Sequence, residues 1–264
     1  MKLTSDLLVP GINSDLISEF EIAGDTGPLK SDLSLFPDQL AYLSVVPRLS
    51  RDGGKGGEFG GYHIFYFCDT ASFATSHETQ QIEMVSMTSS SVAVDEGMHG
   101  RDDQPLVLVD GIGQWNDDVG RMRGFAPMTA GEHSFNIALA GEGYRYVVWP
   151  ESSLIPLNHT HAIQYASLVY DDVNMDSQHT KFTSLGNTLL TISVDQKYGP
   201  TAERTVRQLY HQGEVAWGSV GGIRSWGPQG VGGTDGKVYV FGKTAQGILV
   251  GRVDAGFVAD RDAV

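Results

Sequence analysis

The chain has 264 residues and a mass of 28.5 kDa, long for a single helical domain and ordinary for one large all-β domain. Its 18 Lys and Arg against 32 Asp and Glu give a formal charge of -14, which repels phosphate backbones and anionic headgroups and argues against nucleic acid and membranes as partners. A neutral polymer such as a carbohydrate fits that charge, and 41% hydrophobic residues with 33 glycines suit a packed core joined by many tight turns.

The first residues, MKLTSDLLVPGINSDL, lack the apolar core of about 7–15 residues that a signal peptide needs, and no later stretch approaches the ~20 apolar residues of a membrane helix. Residues 14–21, SDLISEFE, are compatible with a short helix capped by Ser14. The segment 1–45 as a whole reads as a leader or as a strand that closes the domain formed by 46–264.

Strand patterns then dominate. YHIFYFC at 62–68, SSVAVD at 90–95, PLVLVD at 105–110, YRYVVW at 144–149, AIQYASLVY at 162–170, NTLLTISVD at 187–195, KVYVFG at 237–242 and GILVGRVD at 247–254 are short, rich in Val, Ile, Tyr or Phe, and bounded by turn residues. Strand ends near Asp69, Asp110, Trp149, Asp195 and Gly242 repeat at a spacing close to the roughly 40–50 residues of a four-stranded propeller blade. Residues 62–68 and 238–241 are apolar on both alternating faces, as expected of strands covered on both sides. After GILVGRVD the sequence offers no obvious element to close a ring of blades, so either the N-terminal residues close it or it is incomplete at the C-terminus.

Within this pattern, RDGGKGGEFGGYHIFYFCDT at 51–70 carries the first chemical signal. Gly60-Gly61 is a two-residue hairpin turn candidate. Phe59 then faces Tyr62, and the same alignment places Asp52 opposite Asp69 with Cβ atoms ≈ 4.5–5.5 Å apart. Two carboxylates so placed repel, and one remedy is a raised pKa on one of them, giving an acid beside an ionised carboxylate as glycoside hydrolases use. Each aspartate taken singly is also ordinary turn or strand-end chemistry. Cys68, the single cysteine, has apolar neighbours and reads as a buried structural thiol.

Further candidates lie downstream. Glu214 stands beside Trp217 in GEVAWGS and could supply a third carboxylate. Arg224 and Trp226 in IRSWGP combine a fork of donors with an aromatic platform, which suits polyol binding. His159 and His161 in NHTH have the spacing that puts both on one face of a strand. With no third ligand nearby they do not define a metal site, and His161 joins Trp217, Arg224 and Trp226 as a substrate-binding candidate. Asp235 in Thr-Asp-Gly-Lys reads as a turn residue. Asn158-His159-Thr160 is a glycosylation sequon, a short match that arises often by chance.

The RDGG at 51–54, followed by an aromatic strand ending in FCDT, resembles the RDGG…FGDT opening of the domain of unknown function family 4185, especially its fungal members, with Cys68 in place of a glycine. Residues 213–253 resemble a later segment of the same proteins. The resemblance implies a five-bladed β-propeller related to glycoside hydrolases, with a funnel at one end of its axis. Some bacterial members of the wider family cleave D-arabinan with a carboxylate pair near the chain start, which carries over to Asp52 and Asp69. It also implies an extracellular location, while the N-terminal sequence leaves a cytoplasmic one open. The expectation is therefore an all-β, five-bladed propeller that hydrolyses a polysaccharide with retention and without cofactor or metal. A non-catalytic carbohydrate-binding propeller is the alternative. Sugar identity and oligomeric state are left open.

Overall fold

Glycines 60 and 61 both take positive φ, 62° and 84°, and turn the chain between strands Lys55–Phe59 (β2) and Tyr62–Phe67 (β3). The structure, a computed structural model, describes residues 48–76, 79–95, 109–110, 123–139, 141–172, 174, 182–195, 199–225 and 236–263. The segment 1–45, most of 105–110, Trp226 and Asp235 lie outside the described residues.

The hairpin register is the predicted one: Phe59 opposes Tyr62 and Lys55 opposes Tyr66. It continues into the flanking strands, where Arg48–Arg51 (β1) pairs with Thr70–Thr75 (β4) and Arg51 opposes Thr70. One long ribbon thus runs through both pairs and breaks only at Asp52-Gly53-Gly54 and Cys68-Asp69. At the break Asp52 N donates to Asp69 O at 2.8 Å while Cys68 N donates to Asp52 O at 2.9 Å. Gly53 and Gly54 have φ of 72° and 146°, a bend that side-chain-bearing residues rarely adopt. The third strand is interrupted on the same line, for Ile82–Thr88 (β5) pairs with β4 and Ser91–Asp95 (β6) with β3, leaving Ser89 and Ser90 between them. Three neighbouring strands kink together. Beyond the kink lie a three-stranded sheet, β1-β4-β5, and a four-stranded sheet completed by Val109–Asp110 (β7), ordered β2-β3-β6-β7.

The second half of the chain builds two more sheets. Tyr144–Trp149 (β8), Ile155–Pro156 (β9), Ala162–Asp172 (β10), Phe182–Asp195 (β11) and Gly199–His211 (β12) form one, ordered β12-β11-β10-β8 with β9 also on β10. Gly221–Arg224 (β13), Lys237–Thr244 (β14) and Gly247–Asp254 (β15) form the other. Alternate residues of β10 and β11 feed two cores. Ala166, Leu168 and Leu190 join Ile64, Tyr66 and Val92 on one side, while Ile163, Tyr165 and Leu189 join Val238, Val240 and Val253 on the other. The fold is all-β, and its central sheet is covered on both faces by other sheets.

That arrangement corrects where two-sided burial falls. In β3 and β14 deeply buried residues alternate with half-buried ones, because each lies in a sheet flanking the centre. β10, with neighbours at both edges and a sheet on each face, is the strand buried almost throughout. The five marked strand ends also fall on strands with different places in their sheets, so their spacing does not mark one recurring unit among the described residues.

Two elements escaped the sequence pattern. β12, GPTAERTVRQLYH, is long but polar at alternate positions that face solvent. Ala130–Leu139 (α1) is a helix with no fully buried residue, so its apolar stripe is weak. Its start is nonetheless encoded: Thr129 N donates to Glu132 Oε2 at 2.8 Å and Glu132 N to Thr129 Oγ1 at 3.3 Å, the reciprocal pairing of a capping box. Glu132 also takes Arg204 of β12 in a two-pronged ion pair, at 2.6 and 3.1 Å. Asn136 meets β8, its Nδ2 donating to Tyr146 O at 2.8 Å and its Oδ1 accepting from Tyr146 N at 2.7 Å. One short helix therefore touches both edge strands of the central sheet, which its curl allows.

Two stability predictions follow from these contacts. Gly218 has φ +79°, and a Cβ there would lie 2.2 Å from the Tyr165 ring, whereas at Gly213, φ +87°, a Cβ would meet nothing within 4 Å. Gly218→Ala should lose at least about 2 kcal/mol through overpacking and Gly213→Ala only about 1, as read by urea denaturation. Burial tends to raise the Glu132 carboxyl, but hydrogen bonds from Arg204 and Thr129 outweigh it and hold the group below its ordinary value of 4.5. A lowered folded value means that this stabilisation is present above about pH 4.5 and is lost as pH falls through the folded value. The denaturation midpoint of Glu132→Gln should accordingly lie below the parent's at pH 7 and converge on it toward pH 3.

Candidate functional site

The kink line and strand β8 meet at Asp69. Residues 145, 147 and 149 of β8 share one face by strand alternation, and two of them reach this carboxylate. Arg145 Nη2 donates to Asp69 Oδ2 at 2.6 Å and Nη1 to Oδ1 at 3.3 Å. Trp149 Nε1 donates to Oδ1 at 3.1 Å. Arg145 also donates from Nε to Asp171 Oδ2 at 2.8 Å, its cross-strand neighbour on β10. Burial works against the Arg145 charge, but Asp69 and Asp171 more than offset it and raise its pKa. Asp171 is itself buried, and its Oδ1 has no hydrogen-bond partner among the described residues.

Asp52 and Asp69 are neighbours through their backbones, as the register requires, but each carboxylate has its own donor. Asp52 is exposed, and its Oδ1 accepts from the Gly53 amide at 2.7 Å. A third carboxylate joins them from the chain just past β8: Glu151 is half-buried and its Oε2 accepts from the Ser167 hydroxyl at 2.5 Å. All three act on the Cys68 thiol. Burial is the main cause that pushes this thiol from its ordinary 9.0 up to about 12, and Glu151, Asp52 and Asp69 add to it, with Lys55 opposing. Cys68 is therefore held as a neutral thiol.

A cavity of about 910 Å³ opens beside Arg145, with Thr88, Ser89, His133, Tyr144 and Tyr146 also in its walls; ligand sites commonly measure about 300–1,000 Å³. The Ser89 hydroxyl is buried there with no hydrogen-bond partner among the described residues. Behind the wall Tyr144 stacks on Tyr170 at 6.2 Å between ring centroids, and Phe135 packs edge-on to Tyr146 at 4.8 Å. Phe182, half exposed, packs edge-on to Trp149 at 5.1 Å.

The other sequence candidates are spread over different parts of the fold. Glu214 sits in the turn after β12, where its Oε2 accepts from His211 N at 2.8 Å and its Oε1 pairs with Arg261. Its bonds thus serve a turn, and none links it to Asp52 or Asp69. Trp217 packs against the core shared with β14, and Arg224 ends β13 opposite Val238. His159 and His161 are exposed in the turn between β9 and β10 instead of on a strand, because Asn158 Oδ1 accepts from Thr160 N, Thr160 Oγ1 and His161 N at 2.8 to 2.9 Å and bends the chain. Among the described residues no three His, Cys, Asp or Glu side chains gather as a metal site, and no helix is long and apolar enough to cross a membrane.

No protein-family model and no curated protein matches this chain. The site therefore rests on its own geometry. Arg145, Trp149 and Glu151 were not singled out in the sequence, although YRYVVWPE places Arg145 and Trp149 four residues apart on one strand face, a signal open to inspection. What hid them is that neither has a motif, and their shared target lies 76 and 80 positions away in sequence.

The thiol gives a direct test of the charge cluster. Native Cys68 should react with iodoacetamide at pH 8.5 at least ~10-fold more slowly than the urea-unfolded chain. The native rate should still be rising with pH beyond 10, while the unfolded rate levels off above 9. In Glu151→Gln that native profile should move toward lower pH.

Proposed function

We propose that this protein is a glycoside hydrolase-like β-propeller that cleaves a polysaccharide with carboxylates drawn from the kink line. The observation that carries this reading is Asp69, bonded through its backbone to Asp52 and fixed through its carboxylate by Arg145 and Trp149, where Arg145 also stands in the wall of a cavity lined by hydroxyl and aromatic groups. Such a site offers what glycosidic hydrolysis needs: a carboxylate aimed by donors, further carboxyls to move a proton, and polar walls for sugar hydroxyls. Asp52 and Asp69 lie beside each other across the hairpin ribbon, which suits the ≈ 5–5.5 Å separation of retaining enzymes, so retention is the expected course. A five-bladed arrangement and membership in the domain of unknown function family 4185 are parts of the same proposal, supported by the RDGG…FCDT resemblance and by sheets that cover one another face to face. An extracellular site of action would follow from them.

Trp149 and the exposed Phe182 beside it also suit a binding module that stacks sugars without cleaving them. One experiment separates the two readings. The protein is incubated with a panel of plant, fungal and bacterial polysaccharides, arabinans among them, and released reducing ends are measured alongside binding. Turnover that drops by ~100-fold or more in Asp69→Asn, with unchanged melting temperature, supports the hydrolase. Binding without release of sugar by the parent protein overturns the hydrolase in favour of the binding module.

A further inference from the structure

The carboxylates of Asp52, Asp69 and Glu151 have unequal partners, and the partners assign their roles. Asp69 accepts from Arg145 and Trp149 on both oxygens, and every one of those donors is an N–H that cannot itself accept. This is the environment of an ionised carboxylate aimed at a fixed point. Asp52 likewise meets an N–H, that of Gly53, and is open to solvent.

Glu151 alone meets a hydroxyl. Ser167 Oγ can donate to a carboxylate or, after rotation, accept from a carboxylic acid, so the same contact serves both protonation states. A group that gives up and recovers a proton in each cycle needs such a partner, and Glu151 is also partly withdrawn from water. Its position is fixed relative to Asp69, because Ser167 lies directly opposite Trp149 on the β8–β10 ladder and Trp149 is the residue whose indole holds Asp69. The charged groups in the same neighbourhood are Asp52 and Asp69 from the kink, Lys55 from β2, Arg145 bonded to Asp69, and Asp171 bonded in turn to Arg145.

We infer that Glu151 is the proton donor of the site and Asp69 its nucleophile. This assignment rests on the hydrolase reading above. Glu151 protonates the glycosidic oxygen as the bond to the anomeric carbon breaks and the Asp69 carboxylate bonds to that carbon; the leaving sugar departs as an alcohol. Water then attacks the glycosyl ester, passing one proton to the Glu151 carboxylate, which restores the acid and frees Asp69. Water is the sole co-reactant, and no charge is left over.

Leaving-group dependence reads the assignment directly, since a good leaving group departs without protonation. Matched 2,4-dinitrophenyl and phenyl glycosides of glucose, galactose, xylose and arabinose are assayed with the parent, Glu151→Gln, Asp52→Asn and Asp69→Asn. In kcat/KM, which reports only the step that expels the leaving group, Glu151→Gln is expected to lose ~10²–10⁴-fold on the phenyl glycoside, to stay within about tenfold of the parent on the dinitrophenyl one, and to lose the basic limb of the pH profile. Asp69→Asn is expected to lose both substrates. Equal losses on both substrates in Glu151→Gln, or the leaving-group pattern in Asp52→Asn instead, overturn the assignment while the parent stays active. A parent inactive on every glycoside and on the polysaccharide panel overturns the hydrolase reading and this assignment with it. If Glu151→Gln melts early, Ser167→Ala supplies the second measurement: a shifted basic limb supports the donor role, and an unmoved profile overturns it.

Discussion

An edge strand leaves a row of backbone groups without partners, and β8 is the edge on which this molecule turns. Strands at sheet edges must be covered or they pair with other chains. Here the cover comes from two directions. The Asn136 carboxamide bonds both the N–H and the C=O of Tyr146, completing one rung of a ladder with a side chain. Past that rung, Arg145 and Trp149 reach around the edge to Asp69 on the kinked ribbon. The same strand thereby ties helix α1, the central sheet and the N-terminal sheets together, and the contacts that close its edge also build the candidate site.

The ion pairs at this junction are poorly placed to serve as simple stabilisers. Arg145 balances one of its two aspartates and leaves the group Asp69–Arg145–Asp171 with a net negative charge, partly withdrawn from water. Desolvation makes such groups costly, and well-packed apolar residues often replace them without loss of stability. The contrast with Glu132 and Arg204 is instructive: that pair is one-to-one, two-pronged and nearly buried, 15% and 6% exposed. It sits where it joins the helix to the far edge of the sheet, which is a structural task.

The kink is where local sequence and function converge. Two glycines with positive φ, three serines in a row and the Cys68-Asp69 pair interrupt three adjacent strands at one level while the register on either side stays intact. Buried hydroxyls then replace broken ladder bonds: Thr70 Oγ1 meets Ser91 Oγ at 2.7 Å, and Ser90 Oγ accepts from Ala126 N at 2.8 Å. A regular strand would point Asp52 and Asp69 to one face as a matched pair. The irregularity separates their donors, and with the donors their chemical environments.

Local rules were enough to read the hairpin from the sequence: two adjacent glycines select the turn, the turn sets the register, and the register places Asp52 beside Asp69. The extents of YRYVVW and GILVGRVD were legible for the same reason, since alternating β-branched and aromatic residues between turn residues specify a strand by themselves. The sequence did not reveal that Asp69 is held by Arg145 and Trp149, that Glu151 is bound by Ser167, or that Glu214 and Trp217 serve a turn and a core. Those outcomes depend on which sheets face each other and on how far the central sheet curls. Such long-range packing is decided by the whole set of apolar faces, and no short stretch of chain contains it.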